Sequence, residues 1–357
     1  MNKAKQRLMD LRNKEMNISF VITVLIIVAV ATIILAIGFG PVRVSADVVA
    51  KILLNKLPII GKFIEVNWEP LASNIVLGLR LPRVLLGMTV GASLAVVGVT
   101  MQALVRNHLA DPFILGVSSG ASAFATMGMI FGVFGFLGRY SLSISAFIGA
   151  GVSIIFVYII SHIRGRINIT QLLLSGVALS MIMDGLTSFI ILSAPNALGL
   201  HSATFWMSGS LAGARWGYLT LPAAVLLVCT VVLLLNYRSM NLLLLGEDSA
   251  GALGVNVKRT QKILIIVASL MAGVTVSVSG TIGFVGLMVP HFTRLLIGSD
   301  HKKVLPVSAL LGGILVVWVD VVARMIIAPE ELPVGILTAI LGGPLFIWLL
   351  KRRTKNV

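Results

Sequence analysis

The feature that most constrains this chain is a series of long apolar runs that follow one another along almost its whole length. Each run approaches the roughly 20 residues that a helix needs to cross a hydrocarbon core of about 30 Å. With 57% hydrophobic and 11% charged residues over 357 positions, the chain has more apolar surface than one soluble core could bury. The sequence therefore predicts a polytopic protein embedded in lipid.

The apolar runs predict an all-α domain of about ten membrane-spanning helices within residues 17–350. The expected spans are 17–39, 81–104, 112–131, 141–161, 171–193, 216–236, 262–281, 283–297, 304–327 and 335–350. Three glycines and one proline interrupt the helical pattern around the eighth span, so short or broken helices are expected there. These residues are Gly280, Gly283, Gly286 and Pro290.

The distribution of basic residues predicts the orientation of the spans. An even number of spans places both termini on one side, and the segments on that side carry most of the 28 Lys and Arg residues. Because basic loops are retained in the cytoplasm, we expect a cytoplasmic N-terminal segment at 1–16, a cytoplasmic tail at 351–357 and a cytoplasmic loop at 237–262. The basic start is similar to that of a signal peptide, but the following apolar run is too long for one and lacks a convincing cleavage site. It predicts a retained first span.

The net charge of +15 does not indicate nucleic-acid binding. The basic residues lie in short clusters between apolar runs and form no face interleaved with aromatic residues, so no nucleic-acid partner is expected. Residues 116–120 match the G-x-S-x-G pattern of serine hydrolases, but the pattern lies inside an apolar helix without evident triad partners. The chain also lacks the phosphate-binding pattern G-x-x-x-x-G-K-[ST]. We expect no catalytic residue here, and any ATP would bind another subunit.

The chain offers few groups for a metal site. None of its five histidines pairs with a second His, Cys or carboxylate at the spacing of a buried centre. The single cysteine, Cys229, lies in an apolar run and is typical of a small buried side chain. We expect no metal and no other cofactor bound by this chain.

Small residues at four-residue spacing occur inside the second and third predicted spans. Such residues let helix backbones approach closely in lipid, where hydrophobic drive between helices is absent. They predict a tightly packed bundle. The candidate packing residues are Gly87, Gly91, Gly116 and Gly120.

The loop at 237–262 differs from the other loops because it carries both charges and a partly amphipathic pattern. An apolar run ends at Gly246, and the acidic pair Glu247 and Asp248 follows it. This pattern predicts two short helices that lie across the cytoplasmic membrane surface. From the pattern alone, the segment is either a structural loop or a contact surface for another protein.

Several blocks of the chain resemble the FecCD family, the permeases of ATP-binding-cassette (ABC) importers for iron chelates and cobalamin. The blocks occur in the family's order and spacing over about residues 75–350. They are RLPR at 80–83, MQALVRNHLADPFILGVSSGA at 101–121, QLLLSGVAL at 171–179, SGTIGFVGLMVPHFTRLLIGSDH at 279–301 and ELPVGILTAILGGPLFIWLL at 331–350. The resemblance implies a ten-span permease in the plasma membrane of a bacterium or archaeon. It implies ferric siderophores as substrate, with haem or cobalamin as alternatives.

The resemblance also implies partners. A permease of this kind works with two ABC ATPase subunits, an extracytoplasmic substrate-binding protein and a second permease, which is either another copy or a similar chain. ATP and Mg would be bound by the ATPase subunits. Iron would then cross the membrane inside its chelator.

A cytoplasmic motif, E-x-x-A-x-x-L-G-V, docks on the ATPase in this family, and the loop at 237–262 contains it. Asp248 lies within the motif, and Gly251 replaces an arginine that the family commonly carries, so one contact with the ATPase is in doubt. The resemblance therefore implies an ATPase-coupling role for this segment. The coupling residues are Glu247, Asp248, Ala250, Leu253, Gly254 and Val255.

Three arginines on the predicted external side, Arg80, Arg83 and Arg324, match family positions that face glutamates of the binding protein. Opposite charges of this kind steer docking and fix its orientation. From the residues alone, Arg80 and Arg83 could equally anchor a span at the membrane interface. Asp320 precedes Arg324 by one helical turn, so these two residues are also expected to form an internal pair.

The family places its translocation path between two copies of the fifth span, with a cytoplasmic gate before it. The resemblance therefore implies path residues within 164–186, namely Asn168, Ile169, Thr170, Met181 and Asp184. An ionisable residue at membrane depth is costly and often functional, so a proton-coupled transporter using Asp184 and Asp320 is the alternative from another class.

Overall fold

The computed structural model describes residues 18–354 apart from 41, 43, 57, 59, 164, 165 and 196. The predicted segment 1–16 and the end of the tail at 351–357 lie outside the described residues. Arg164 and Gly165, at the start of the predicted gate loop, also lie outside them.

Helices make up most of the described chain. In chain order they are α1 Ile18–Gly38, α2 Ala46–Asn55, α3 Pro70–Asn74, α4 Leu81–Val105, α5 Val117–Phe131, α6 Ser141–Ser161, α7 Ile169–Leu192, α8 Ala197–Met207, α9 Trp216–Leu235, α10 Tyr237–Leu243, α11 Glu247–Ala252, α12 Val257–Ser279, α13 Val285–Ile297, α14 His301–Met325 and α15 Val334–Thr354. A π-helical stretch joins α3 to α4 at Ile75–Arg80, and 3-10 turns lie at Ile60–Phe63, Pro112–Leu115 and Gly135–Tyr140. A two-residue antiparallel pair, β1 His162–Ile163 and β2 Arg166–Ile167, precedes α7.

The predicted all-α polytopic architecture is confirmed. Seven described helical stretches are long and apolar enough to cross a membrane, and α5, α13 and α15 are shorter apolar helices. Together they correspond to the predicted spans. Helix α8 was not predicted, nor were α2 and α3, which lie between the first two spans in the chain.

The predicted break around the eighth span is present. Helix α12 ends at Ser279, and α13 begins only at Val285. Gly280 and Phe284 both have left-handed backbone conformations, with φ of +63° and +66°. The backbone therefore leaves the helical path before α13, and Pro290 lies inside that short helix.

The third predicted span, 112–131, starts later as an α-helix than expected. Asp111 accepts a hydrogen bond from the Phe113 N–H at 2.7 Å and caps a 3-10 turn at Pro112–Leu115. Gly116 then has φ +74°, which ends the turn and lets α5 start in a new direction. Gly116 thus lies at a turn, in a conformation that favours glycine, and an added Cβ would be 3.5 Å from the carbonyl oxygen of Gly176 on α7. Its role in helix packing stays a prediction.

Helix α4 is the centre of the bundle, and nearly all its residues are buried. It packs against α9, α12, α13 and α14. The backbone of α4 approaches two neighbouring helices closely. An added Cβ would overlap the carbonyl oxygen of Gly312 on α14 at Gly91, and that of Gly286 on α13 at Gly98. Gly87 is less tightly enclosed, since its added Cβ would lie 3.1 Å from Leu211.

A second close contact joins α5 to α6. A Cβ on Gly120 would meet Ser153 and the carbonyl oxygen of Gly149, and a Cβ on Gly149 would meet the carbonyl oxygen of Gly120. The two backbones therefore touch directly, which places α5 firmly against α6.

Candidate functional site: two ends of the bundle

A cluster of charged side chains lies at the end of the bundle predicted to be external. Arg83 on α4 donates from Nε and Nη2 to Asp320 on α14, at 2.8 to 3.1 Å. Its remaining nitrogen, Nη1, lies 2.9 Å from both carboxylate oxygens of Glu331, in the loop before α15. One guanidinium group therefore joins α4, α14 and that loop.

The other two arginines hold the end of the first span. Arg80 donates to the carbonyl oxygens of Ile37, at 2.8 Å, and of Val42. Arg324 donates to the carbonyl oxygens of Ala36 and Phe39 at 3.3 and 3.2 Å. The last carbonyls of a helix have no partner within it, so the two guanidinium groups complete the C-terminus of α1.

The three arginines at this end of the bundle are buried. Arg80, Arg83 and Arg324 are only 7%, 9% and 4% exposed. The expected internal pair is present, with Arg324 Nε 3.1 Å from Asp320 Oδ2. Nearby acids and helix carbonyls bind the three guanidinium groups within the chain. Their role in docking a binding protein stays a prediction.

A cavity of about 510 Å³ opens onto this cluster. Arg80, Arg83, Arg324 and Glu331 contribute to its wall, together with apolar side chains such as Leu79. The buried cluster is therefore reachable from the end of the bundle along one side.

The opposite end of the bundle carries the predicted coupling segment. The two expected short helices are present as α10 and α11. Within the motif, Ala250 is fully buried and Val255 packs against the main core, whereas Leu253 is 60% exposed. Asp248 and Gly254 are also exposed, so the segment is anchored by one face and offers the other to solvent.

Glu247 of the motif has a partner within the chain. Its Oε1 lies 3.1 Å from Nη2 of Arg106, which follows the last residue of α4. Arg106 itself has a left-handed backbone, with φ +58°, so the chain turns sharply where α4 ends. The first turn of α11 is thus tied to the central helix of the bundle.

A cleft of about 870 Å³ separates the coupling segment from the predicted gate. Asn168, Ile169 and Thr170 lie on one wall, and Glu247 and Asp248 lie on the other. Asn168 also caps α7, because its side-chain oxygen accepts from the Gln171 N–H at 3.0 Å. The fold therefore brings the predicted gate and coupling residues to one cleft.

The remaining path candidates lie on an uncovered face of α7. Met181 is 71% exposed, and Asp184 is exposed one turn later. Large apolar side chains on the same helix are also exposed, namely Leu174, Ile182, Phe189 and Leu192. No other described part of this chain covers the outer face of α7.

A second polar contact at the coupling end was not recognised in the sequence. Asn241 on α10 donates to Asp300 at 2.8 Å and accepts from the backbone N–H of His301 at 3.0 Å. Asp300 also caps α14 by accepting from the Lys302 N–H at 3.1 Å. Nothing in the local pattern marks Asn241, since its partners lie far away in the chain.

Metal-binding potential is low in the described part of the chain, where no group of three or more His, Cys, Asp or Glu residues is placed to hold an ion. The loop after α4 contains a partly buried acid, Asp111. Burial raises the pKa of the Asp111 carboxyl group above its ordinary value, although the Phe113 N–H acts in the opposite direction.

Comparison with known proteins decides the family. The FecCD transport family matches residues 25–352 of this chain. The chain belongs to the FecCD family. As a FecCD permease, it is a transport component rather than an enzyme, and a multi-pass membrane protein.

Several FecCD relatives align over most of their length. The chain is 43% identical over 256 residues to the cobalamin import system permease protein BtuC of Halobacterium salinarum, covering 71% of this chain and 68% of the relative. It is 40% identical to the hemin transport system permease protein HmuU of Yersinia pestis, covering 70% and 75%. It is 39% identical to the ferric enterobactin transport system permease protein FepD of Escherichia coli, covering 71% and 75%.

A solved structure has the same fold. It is described as an inward-facing conformation of a metal-chelate type ABC transporter, and it is similar to this chain with a TM-score of 0.80 and 30% identity. The match covers 94% of this chain and 99% of the other. This FecCD chain is therefore the permease of an ABC importer.

Proposed function

We propose that the chain imports ferric siderophores, delivered by an extracytoplasmic binding protein and driven by two ABC ATPase subunits that bind ATP and Mg. The observation that supports coupling to an ATPase is the cleft that Glu247, Asp248 and Asn168 to Thr170 line together. Movement of a bound ATPase would therefore reach the gate directly. The substrate is proposed from the ferric enterobactin permease FepD, which is 39% identical to this chain. No cofactor of the chain itself is needed for this transport cycle.

The orientation follows from the charges. The loops at 105–111 and 237–262 lie at the same end of the bundle, since Arg106 contacts Glu247. We assign this end to the cytoplasm, because basic loops are retained there. Both termini then lie on the cytoplasmic side, and the end with Arg83 faces the binding protein.

The uncovered face of α7 is assigned to a second permease. Met181 and Asp184 would line a path between two copies of this helix, and the large apolar side chains beside them would be covered by the partner. An exposed carboxylate at membrane depth is costly, so a water-filled path between subunits suits Asp184 better than lipid does. A wide path of this kind makes few contacts and suits a bulky chelate that must not be held tightly.

The ATPase contact is tested by recovering partners of the tagged chain from its native membranes in mild detergent, with chain ratios counted by mass spectrometry. We expect an ABC ATPase at one copy per permease, lost in Leu253→Asp. The matched control is Leu245→Asp, because Leu245 is 63% exposed in the same loop but lies outside the motif. Equal loss in both variants, or no ATPase with the native chain, would contradict the coupling assignment.

The substrate is tested by uptake into proteoliposomes that hold the permease, its ATPase and its binding protein. We expect ATP-dependent uptake of radioactive iron supplied as a siderophore complex. Cobalamin is a second candidate because the BtuC relative is 43% identical, and haem is a third because HmuU is 40% identical. Uptake of labelled cobalamin or haem without uptake of the iron complex would replace the siderophore assignment.

A proton-coupled transporter remains the competing class. It would take up substrate without an ATPase, in response to a proton gradient, and would depend on Asp184 and Asp320. In the importer, Asp320 instead keeps the external end folded through Arg83 and Arg324. Uptake by the permease alone, driven by acid outside the vesicles, would favour the competing class.

A further inference from the structure

The two carboxylates bound to Arg83 differ in how firmly they are held. The Asp320 side chain is only 2% exposed and is also paired with Arg324, so it is fixed within α14. The Glu331 side chain is 30% exposed and hydrogen-bonds to Arg83, while Arg324 attracts it from a greater distance. Glu331 lies outside any helix, in the loop that precedes α15.

The two bonds to Asp320 set the orientation of the Arg83 guanidinium group. Nε and Nη2 point to Asp320, which leaves Nη1 directed at Glu331. Charged bidentate contacts of this kind are strong and directional. A second carboxylate can therefore be exchanged at Nη1 without disturbing the pair with Asp320.

The cavity beside the cluster gives a route for such an exchange. Glu331 and Arg83 both line its wall of about 510 Å³. With Glu331 in place, the positive charges of Arg83 and Arg324 are neutralised by the carboxylates of Asp320 and Glu331. Arg80 then supplies the net positive charge of the cavity wall. If Glu331 moves away, one further positive charge is released toward the opening.

We propose that Glu331 takes the place of an external carboxylate. Glu331 binds Arg83 until a glutamate or aspartate of the docking binding protein displaces it. This inference rests on the proposed function, since it needs a binding protein at this end. Without that partner, Glu331 keeps the guanidinium group paired. When the binding protein docks, its carboxylate replaces Glu331 at Nη1 of Arg83. The docking contact therefore forms only with a partner that supplies this carboxylate.

The exchange predicts that the native chain binds the binding protein less tightly than a variant in which residue 331 does not compete for Arg83. In Glu331→Gln the neutral amide competes poorly for Arg83, so affinity for the binding protein should rise. The dependence of affinity on salt should also become steeper, because one more positive charge is available to the partner. A residue that merely supports the fold would give the opposite result, since its loss would weaken docking.

Glu330 supplies a matched control. It is the neighbouring residue and is exposed, and no hydrogen bond or ion pair is recorded for it among the described residues. Glu330→Gln removes the same charge from the same loop without touching Arg83. Any general effect of local charge therefore appears in both variants.

The experiment measures binding of the purified binding protein to the complete permease–ATPase complex in lipid nanodiscs, across a salt series. We expect Glu331→Gln to bind severalfold more tightly than the native complex, and Glu330→Gln to bind like it. Equal affinities in the two variants, or weaker binding by Glu331→Gln, would overturn the proposed role of Glu331. The proposal that a binding protein docks at this end would remain. No binding by a native complex that retains its ATPase would overturn the docking proposal and the exchange with it.

Discussion

The side chains of Arg106 and Glu247 meet at 3.1 Å although 141 residues separate them in the sequence. Arg106 closes the central helix α4, and Glu247 opens α11. This contact ties the proposed ATPase-docking segment to the most buried helix of the bundle. A displacement of α11 therefore pulls on α4 as well as on the neighbouring gate.

Reversing the charge in Arg106→Glu should uncouple ATP hydrolysis from uptake while leaving the fold intact. Both side chains are 37% exposed, and exposed pairs contribute only about 0.2–1 kcal/mol to stability. We expect a small change in unfolding temperature but a severalfold drop in uptake per ATP hydrolysed. Both quantities can be measured in proteoliposomes.

The exchanged pair Arg106→Glu with Glu247→Arg provides the control. If the contact itself transmits movement, the double variant should recover much of the uptake lost by either single variant. Failure of the double variant, with ATPase still bound, would mean that Glu247 acts through the ATPase and not through Arg106.

Asp320→Asn should destabilise the chain much more than Glu331→Gln does. Neutralising Asp320 leaves the buried Arg83 and Arg324 side chains without their shared carboxylate, and breaking a buried pair costs about 3–5 kcal/mol. Thermal unfolding of the purified complex in detergent should show a large decrease for Asp320→Asn only. Comparable decreases in both variants would show that the two acids support the fold equally.

Gly91→Ala should disrupt the contact of α4 with α14, because the new Cβ would overlap the backbone of Gly312. Overpacking of this kind costs about 1–3 kcal/mol. Gly151→Ala in α6 is the matched control, since its Cβ meets nothing within 4 Å. We expect lower folded yield by size-exclusion chromatography for Gly91→Ala alone, and an unaffected Gly91→Ala would exclude the close contact.

Asp111→Asn should change how stability depends on pH. Burial raises the pKa of Asp111 above 3.8, so the folded state favours the protonated carboxyl group. Its stabilising contribution is complete below 3.8 and is lost as the pH rises through the higher folded pKa. Asparagine keeps an acceptor for the Phe113 N–H and carries no charge.

The unfolding temperature of Asp111→Asn relative to the native chain should therefore rise with pH and level off once Asp111 is ionised. Thermal unfolding of both proteins over an acidic to neutral series measures this difference. Glu330→Gln, which alters an exposed acid, should show no such trend. A difference that decreases with pH would contradict the direction of the shift.

The spans could be predicted because lipid demands long apolar helices, and length and composition identify those directly. The break before α13 was also readable, since Gly280 takes a conformation that glycine favours. Helices α2 and α3 were not predicted because they are short and only partly apolar. Their placement depends on contacts with other helices and not on a membrane-wide hydrophobic run.

The sequence identified many residues of the candidate site but not most of the contacts between them. The motif from Glu247 to Val255 marked the coupling segment, and the one-turn spacing marked the pair of Asp320 with Arg324. Glu331 and Arg106 were missed because each finds its partner across a distance in sequence that no local pattern encodes.

The arginine caps on α1 also bear on how the protein is made. The first span leaves the ribosome early, whereas Arg324, which binds the carbonyl oxygens of Ala36 and Phe39, is synthesised near the end. Until then, those carbonyl groups can be satisfied only by water at the membrane surface. Arg80 can bind the end of the first helix early in synthesis, whereas the hydrogen bonds from Arg324 can form only after the ninth span has been made.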